Sequence, residues 1–150
     1  MYIPMKKLLL LIAAALFSIQ TYAFEFDGIN LNDDVIKVTR AISAKKYVQD
    51  PTRNCLKGVC FGTEIYLSLN IEDVNTKGKV GQLIVDVPMT DPQAFKTCSE
   101  LLNVIYHQIN KDNNTVVYAV DEDGTTLNLT AVPEGVKLVY NTPYYKVAKK

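Results

Sequence analysis

Tryptophan is absent from the 150-residue chain, histidine occurs once, and arginine appears only as Arg40 and Arg53. Each scarcity removes a class of chemistry. The lone histidine, His107, has no second histidine and no acidic residue at ligand spacing on its helix, so a histidine metal site lacks its donors. Nor does it serve a nucleophile: Cys98 lies nine residues before it, about two and a half turns along one helix, too far for a thiol–imidazole pair. No Gly-x-Ser-x-Gly turn is present to raise a serine nucleophile, and no glycine-rich stretch opens a helix to cradle phosphate. Two arginines without a basic run give no footprint for nucleic acid. The turns Asp73–Gly78 and Asp121–Gly124 hold oxygen ligands but lack the EF-hand calcium loop with its closing glutamate. The expectation is a non-enzymatic protein with no cofactor and no metal.

Long apolar runs are confined to the N-terminus. Lys6 and Lys7 precede the uncharged run Leu8–Phe17, and Thr21-Tyr22-Ala23 places small residues where a signal peptidase reads them. This predicts a signal peptide over residues 1–23, starting at Met1 or Met5 and cleaved after Ala23. The run falls short of the ~20 residues of a spanning helix, so no membrane span is expected after cleavage. The remaining 24–150 reads as a single α+β domain, exported to the periplasm or secreted. Without Lys6 and Lys7, 14 basic residues stand against 16 acidic ones, a net charge of −2.

The expected order is strand, helix, strand, strand, helix, strand, strand, strand. Phe24-Glu-Phe26 opens as a strand. Asn32 caps a first helix with Asp33 and Asp34 in its first turn, and Val35, Val38, Ala41 and Ile42 form one face. Phe61–Ile71 alternates with a period of two, with Phe61, Thr63, Ile65, Leu67, Leu69 and Ile71 turned inward. Val80–Val87 returns antiparallel with Leu83, Val85 and Val87 inward, and Ile84 breaks its alternation. A second helix over 91–110 starts at Thr90-Asp91-Pro92 and carries Phe95, Cys98, Leu102, Ile105 and Ile109 on one stripe. Alternating strands follow at 115–120, 125–132 and 136–140. The result is a largely antiparallel sheet with both helices on one face. Each helix precedes an antiparallel group, without a residue-level repeat.

Three cysteines in an exported chain allow one bridge and one leftover thiol. In Cys55-Leu-Lys-Gly-Val-Cys60, Lys57-Gly58 serves as a two-residue turn and brings Cys55 opposite Cys60 as a non-hydrogen-bonded pair. A Cys55–Cys60 disulfide is therefore expected, with Cys98 buried and reduced; pairing of Cys98 with either remains the alternative. Four intervening residues exclude a thiol redox motif, and the spacing does not fit zinc.

Tyrosine is the main aromatic, and exposed tyrosine favours protein contact. On the long strand, Glu64, Tyr66, Ser68 and Asn70 point away from the core and form the expected binding surface for a protein partner in the cell envelope. An alternative is a small-ligand or envelope-component site between helix 91–110 and the sheet, beside Phe95 and Leu102. Gly28-Ile-Asn-Leu31 before the Asp-Asp-Val helix, the Ile65–Ile71 strand and Lys79-Val80 opening its return give residues 28–87 a resemblance. They resemble small exported bacterial proteins of the beta-lactamase-inhibitor-like class, which includes outer-membrane assembly accessory proteins of the small-protein-A type. No cysteine follows Ala23 for the lipid attachment those accessory proteins carry. The resemblance implies a binding domain that uses its sheet face; an inhibitor or immunity-type protein that occupies a partner's cleft is one form the expected protein contact takes.

Overall fold

The computed structural model describes residues 25–26, 28–60, 63–74, 77–120 and 124–145, with the backbone alone at 25, 60, 72–74 and 77. The expected signal segment and Phe61 lie outside these residues. In chain order the elements are β1 (Glu25–Phe26), β2 (Ile29–Asn30), α1 (Val35–Ala44), β3 (Val48–Asp50), β4 (Cys55–Cys60), β5 (Thr63–Val74) and β6 (Lys77–Pro88), then α2 (Ala94–Ile105), β7 (His107–Lys111), β8 (Thr115–Ala119), β9 (Thr126–Val132) and β10 (Gly135–Asn141). β1 and β2 form a two-stranded ribbon, and the other eight strands form one antiparallel sheet in the order β3-β4-β5-β6-β10-β9-β8-β7. The α+β expectation holds at that level. The element order does not: β2, β3 and β7 were not expected, and Cys55–Cys60 is a strand.

Local chemistry explains the boundaries. α1 is capped by Asp34 rather than Asn32; its carboxylate accepts a hydrogen bond from the Lys37 amide at 3.0 Å. Asn32 instead gives its own amide to the Asn30 side chain at 2.9 Å, closing the turn before the helix. That backbone hydrogen bond to Asp34 holds its carboxyl below the usual aspartate range. α2 stops at Ile105 because Tyr106 is already extended, at φ −113° and ψ 157°. His107 and Ile109 therefore sit on an edge strand and not on the helical stripe, and Ile109 is exposed.

The period-two pattern of the sequence builds the core. Ile65 and Leu67 on β5, Leu83, Val85 and Val87 on β6, Val136, Leu138 and Tyr140 on β10, Leu127 and Leu129 on β9, and Val116 and Tyr118 on β8 are buried together. Register puts them on one face: Leu67 pairs Val85, Val85 pairs Leu138, Leu138 pairs Leu129, and Leu129 pairs Val116. Val38 and Ile42 of α1 and Ala94, Cys98 and Leu102 of α2 enter the same cluster. The Tyr118 hydroxyl donates to the Ser99 carbonyl at 3.1 Å and ties α2 to β8. Ile71 departs from the expected inward set. β5 and β6 outrun the core, and Ile71 is more than half exposed. Between Asn70 and Ile71 the register shifts, leaving Gly81 without a partner in the β5 ladder. Thr142 takes up the freed backbone, its amide donating to the Gly81 carbonyl at 2.9 Å and its hydroxyl to the Val80 carbonyl at 2.6 Å.

The sheet reads the same from either edge. Each half is a helix followed by a four-stranded meander, and the two halves meet where β6 pairs β10. About an axis through the Val85–Leu138 pair, Thr63, Ile65 and Leu67 map onto Thr125, Leu127 and Leu129. Buried Val38 and Ile42 repeat the spacing of Cys98 and Leu102. The repeat absent from the linear sequence is thus present in three dimensions.

The expected Cys55–Cys60 bridge is overturned by β4. The two residues are the first and last of one continuous strand, paired with Asp50 and Thr63 respectively. Five steps of about 3.3 Å set their Cα atoms about 16 Å apart, whereas a disulfide needs them within about 7 Å. Gly58 makes no turn. A Cβ at Gly58 would strike the Tyr47 ring, with Cγ at 2.8 Å, so the missing side chain is the seat for that ring. The chain reverses earlier, at Pro51–Asn54, where Asn54 adopts φ 52°. Cys98 is buried as expected, 1% exposed, and burial pushes its thiol up to about 12.

Candidate functional site: the open face of the sheet

Side chains opposite the core form a second surface. Cross-strand register orders it in three rows. The first is Lys57, Tyr66, Asp86, Lys137, Thr130 and Thr115. The second is Ser68, Ile84, Val139, Asn128 and Val117, and the third is Asn70, Gln82, Asn141, Thr126 and Ala119. Among the described residues, the buried side chains of both helices belong to the core on the other side. Most residues of the three rows are half-buried.

The four expected surface residues lie along β5 on this face, in three different environments. Tyr66 is buried at 9% exposure, not presented to solvent. Its hydroxyl donates to Glu64 Oε1 at 2.9 Å, and the Arg53 guanidinium lies over its ring, 4.0 Å from the centroid. The stack is a cation–π contact from the β3–β4 turn onto the sheet. The hydrogen bond to Glu64, with burial, raises the Tyr66 phenol above its usual range, so it stays neutral. Ser68 is half-buried beside Ile84. Asn70 is exposed, and its amide donates to Gln82, which donates in turn to Asn141 Oδ1 at 2.8 Å. This amide ladder ties β5, β6 and β10 together along the third row.

Five further residues shape the face. Arg53 caps Tyr66. Asp86 and Lys137 face each other across the central seam, carboxylate to ammonium at 3.8 Å, both about a third exposed. Ile84 and Val139 pair beside them and form the apolar centre. Ile84 announced itself in the sequence by breaking the alternation of its strand. Arg53 gave no signal, because its position depends on a turn that Lys57-Gly58 seemed to supply instead.

Among the described residues, two clefts border the face. One, of about 270 Å³, is lined by Arg53, Asp86, Glu134 and Lys137 over Val132 and Pro88. The other, of about 380 Å³, lies at the β4 edge between Lys45, Lys46 and Val48 on one side and Lys57, Val59 and Glu64 on the other. Neither is lined by Phe95 or Leu102; Leu102 is packed in the core at 1% exposure.

The chemistry available here is contact chemistry: apolar area, charged pairs and side-chain amides. Among the described residues no three His, Cys, Asp or Glu side chains are placed to hold a metal ion, and no helix is long and apolar enough to cross a membrane. No protein-family model, curated protein or solved structure matches the chain.

Proposed function

We propose that this protein is exported and acts without catalysis, by holding a partner protein of the cell envelope against the open face of its sheet. The observation that carries this reading is the half-buried central row on the side away from the core. Ile84 and Val139 form an apolar pair at the centre of this row, between a charged row and an amide row, the arrangement of an apolar interface centre within a polar rim. The flanking side chains are already ordered by the Arg53–Tyr66–Glu64 stack and the Asn70–Gln82–Asn141 ladder, which lowers the entropy lost on docking. The resemblance of residues 28–87 to inhibitor-like exported proteins points the same way.

The test is capture from an envelope extract with the full chain, produced in an exporting host, as bait. Wild type is compared with I84K/V139K and with V104K, whose position is exposed on α2 away from this face. A retained protein that binds wild type and V104K but not I84K/V139K supports the reading. Equal retention by all three, with the variants folded by circular dichroism, refutes it.

A further inference from the structure

We infer that the cleft at the β4 edge receives a carboxylate-bearing, partly apolar peptide segment of that partner. The inference rests on the reading of the open face and names the chemistry of its occupant.

Three observations converge. The first is charge. Lys46 and Lys57 bring two cations to a cleft of about 380 Å³ whose one acidic lining residue, Glu64, already accepts the Tyr66 hydroxyl at 2.9 Å. A chain that is net acidic beyond residue 23 thus concentrates positive charge at one end of its sheet, which favours and steers an acidic partner. The second is apolar surface. Val48 and Val59 line the same cleft at 58% and 60% exposure. Val48 pairs Lys57, and Val59 pairs Glu64, so valine and charge alternate across the edge on the open-face side.

The third is conformational. Lys46 follows the C-terminus of α1 with φ 70°, its amide donating to the Ser43 carbonyl at 3.0 Å. Helices end this way with glycine, because a side chain is disfavoured in the left-handed region. A lysine held there retains a cation at the mouth of the cleft at a cost in stability, and strain of this kind marks functional positions. Lys57 joins the cleft directly to the first row of the open face, so a partner seated on that face reaches both.

The test uses a fluorescein-labelled peptide of alternating Glu and Leu, with a Lys–Leu peptide of equal length as control, titrated into the full-length protein. Binding of the Glu–Leu peptide is expected to weaken as salt rises, and to drop about tenfold or more in K46E/K57E. K46G supplies the discriminating measurement. It is expected to raise the melting temperature and lower peptide affinity together. Equal binding of the Lys–Leu peptide, no effect of K46E/K57E, or K46G stabilised with affinity unchanged would each overturn the inference. Those outcomes, with partner capture still lost in I84K/V139K, reject the cleft alone and leave the open-face reading standing.

Discussion

Gly135→Ala tests the account of the central seam most severely. Gly135 opens β10 directly opposite Pro88, at φ 155°. A Cβ built there meets the Val87 carbonyl oxygen well inside contact and the Met89 nitrogen at 2.7 Å. Both neighbours are backbone, so neither can swing away. The amide of Met89 also donates to the Glu134 carbonyl at 2.9 Å, closing the end of the β6–β10 pair. Alanine therefore adds about 1–3 kcal/mol of backbone strain and about 1–3 kcal/mol of overpacking. Parting the strands forfeits about 1 kcal/mol of hydrogen bonding. A total of about 3–7 kcal/mol is a large share of the 5–15 kcal/mol or so that holds a domain together. At roughly 4 °C per kcal/mol the melting temperature falls by more than about 10 °C. Gly124→Ala is the control: its φ is 103°, but the nearest atom, Pro143 Cγ, is 3.9 Å away, so only strain of about 1–2 kcal/mol applies. Urea unfolding followed by far-ultraviolet circular dichroism measures both. Equal losses in the two variants, or a Gly135→Ala loss under about 1 kcal/mol, would refute the steric reasoning.

Gly58→Ala is expected to cost about 1–3 kcal/mol by displacing the Tyr47 ring; a double-mutant cycle with Tyr47→Ala checks this, because the penalty for the methyl should vanish once the ring is gone. Stability is expected to decline with alkaline pH. Burial pushes Tyr118 from 10.0 and Cys98 from 9.0 up to about 12 each, so both stay protonated in the fold while the unfolded chain releases its protons. Their contribution is complete below pH 9 and is lost as pH climbs from 9 to 12; a Tyr118→Phe variant should show a shallower decline in chemical-denaturation curves across that range. Native thiol labelling at pH 8 should modify half-buried Cys55 before buried Cys98, and mass spectrometry that found Cys98 labelled first would contradict its placement in the core.

The sequence disclosed the parts of the fold that repeat a simple period. β5, β6, β8, β9 and β10 each alternate apolar and polar residues because one face is buried, and their inward sets, Ile71 of β5 apart, were readable from spacing alone. Helices α1 and α2 were legible for the same reason at a period of 3.6 residues. The errors fall where two structures share one pattern. Ile105 and Ile109 continue helical spacing, yet Tyr106 turns extended and Ile109 rides an edge strand. Lys57-Gly58 has the composition of a tight turn, but glycine is needed there to admit a ring, which only the tertiary neighbour reveals. At the site, the sequence assigned Glu64, Tyr66, Ser68 and Asn70 to the strand side away from the core. It could not show that Tyr66 lies beneath Arg53, nor that Asp86, Lys137 and Val139 come from distant strands to complete the surface.

The mirrored strand order has a bearing on how the chain is made. β6 is complete long before β10 exists, so Val85 must wait for Leu138. In that interval the first meander ends in a bare, valine-rich edge, the kind of template on which strands of separate molecules join. The same holds for β10 in any fragment that lacks the first half. Synthesis therefore carries this protein through a stage in which a buried seam is an adhesive margin, and every finished molecule has closed that margin upon itself.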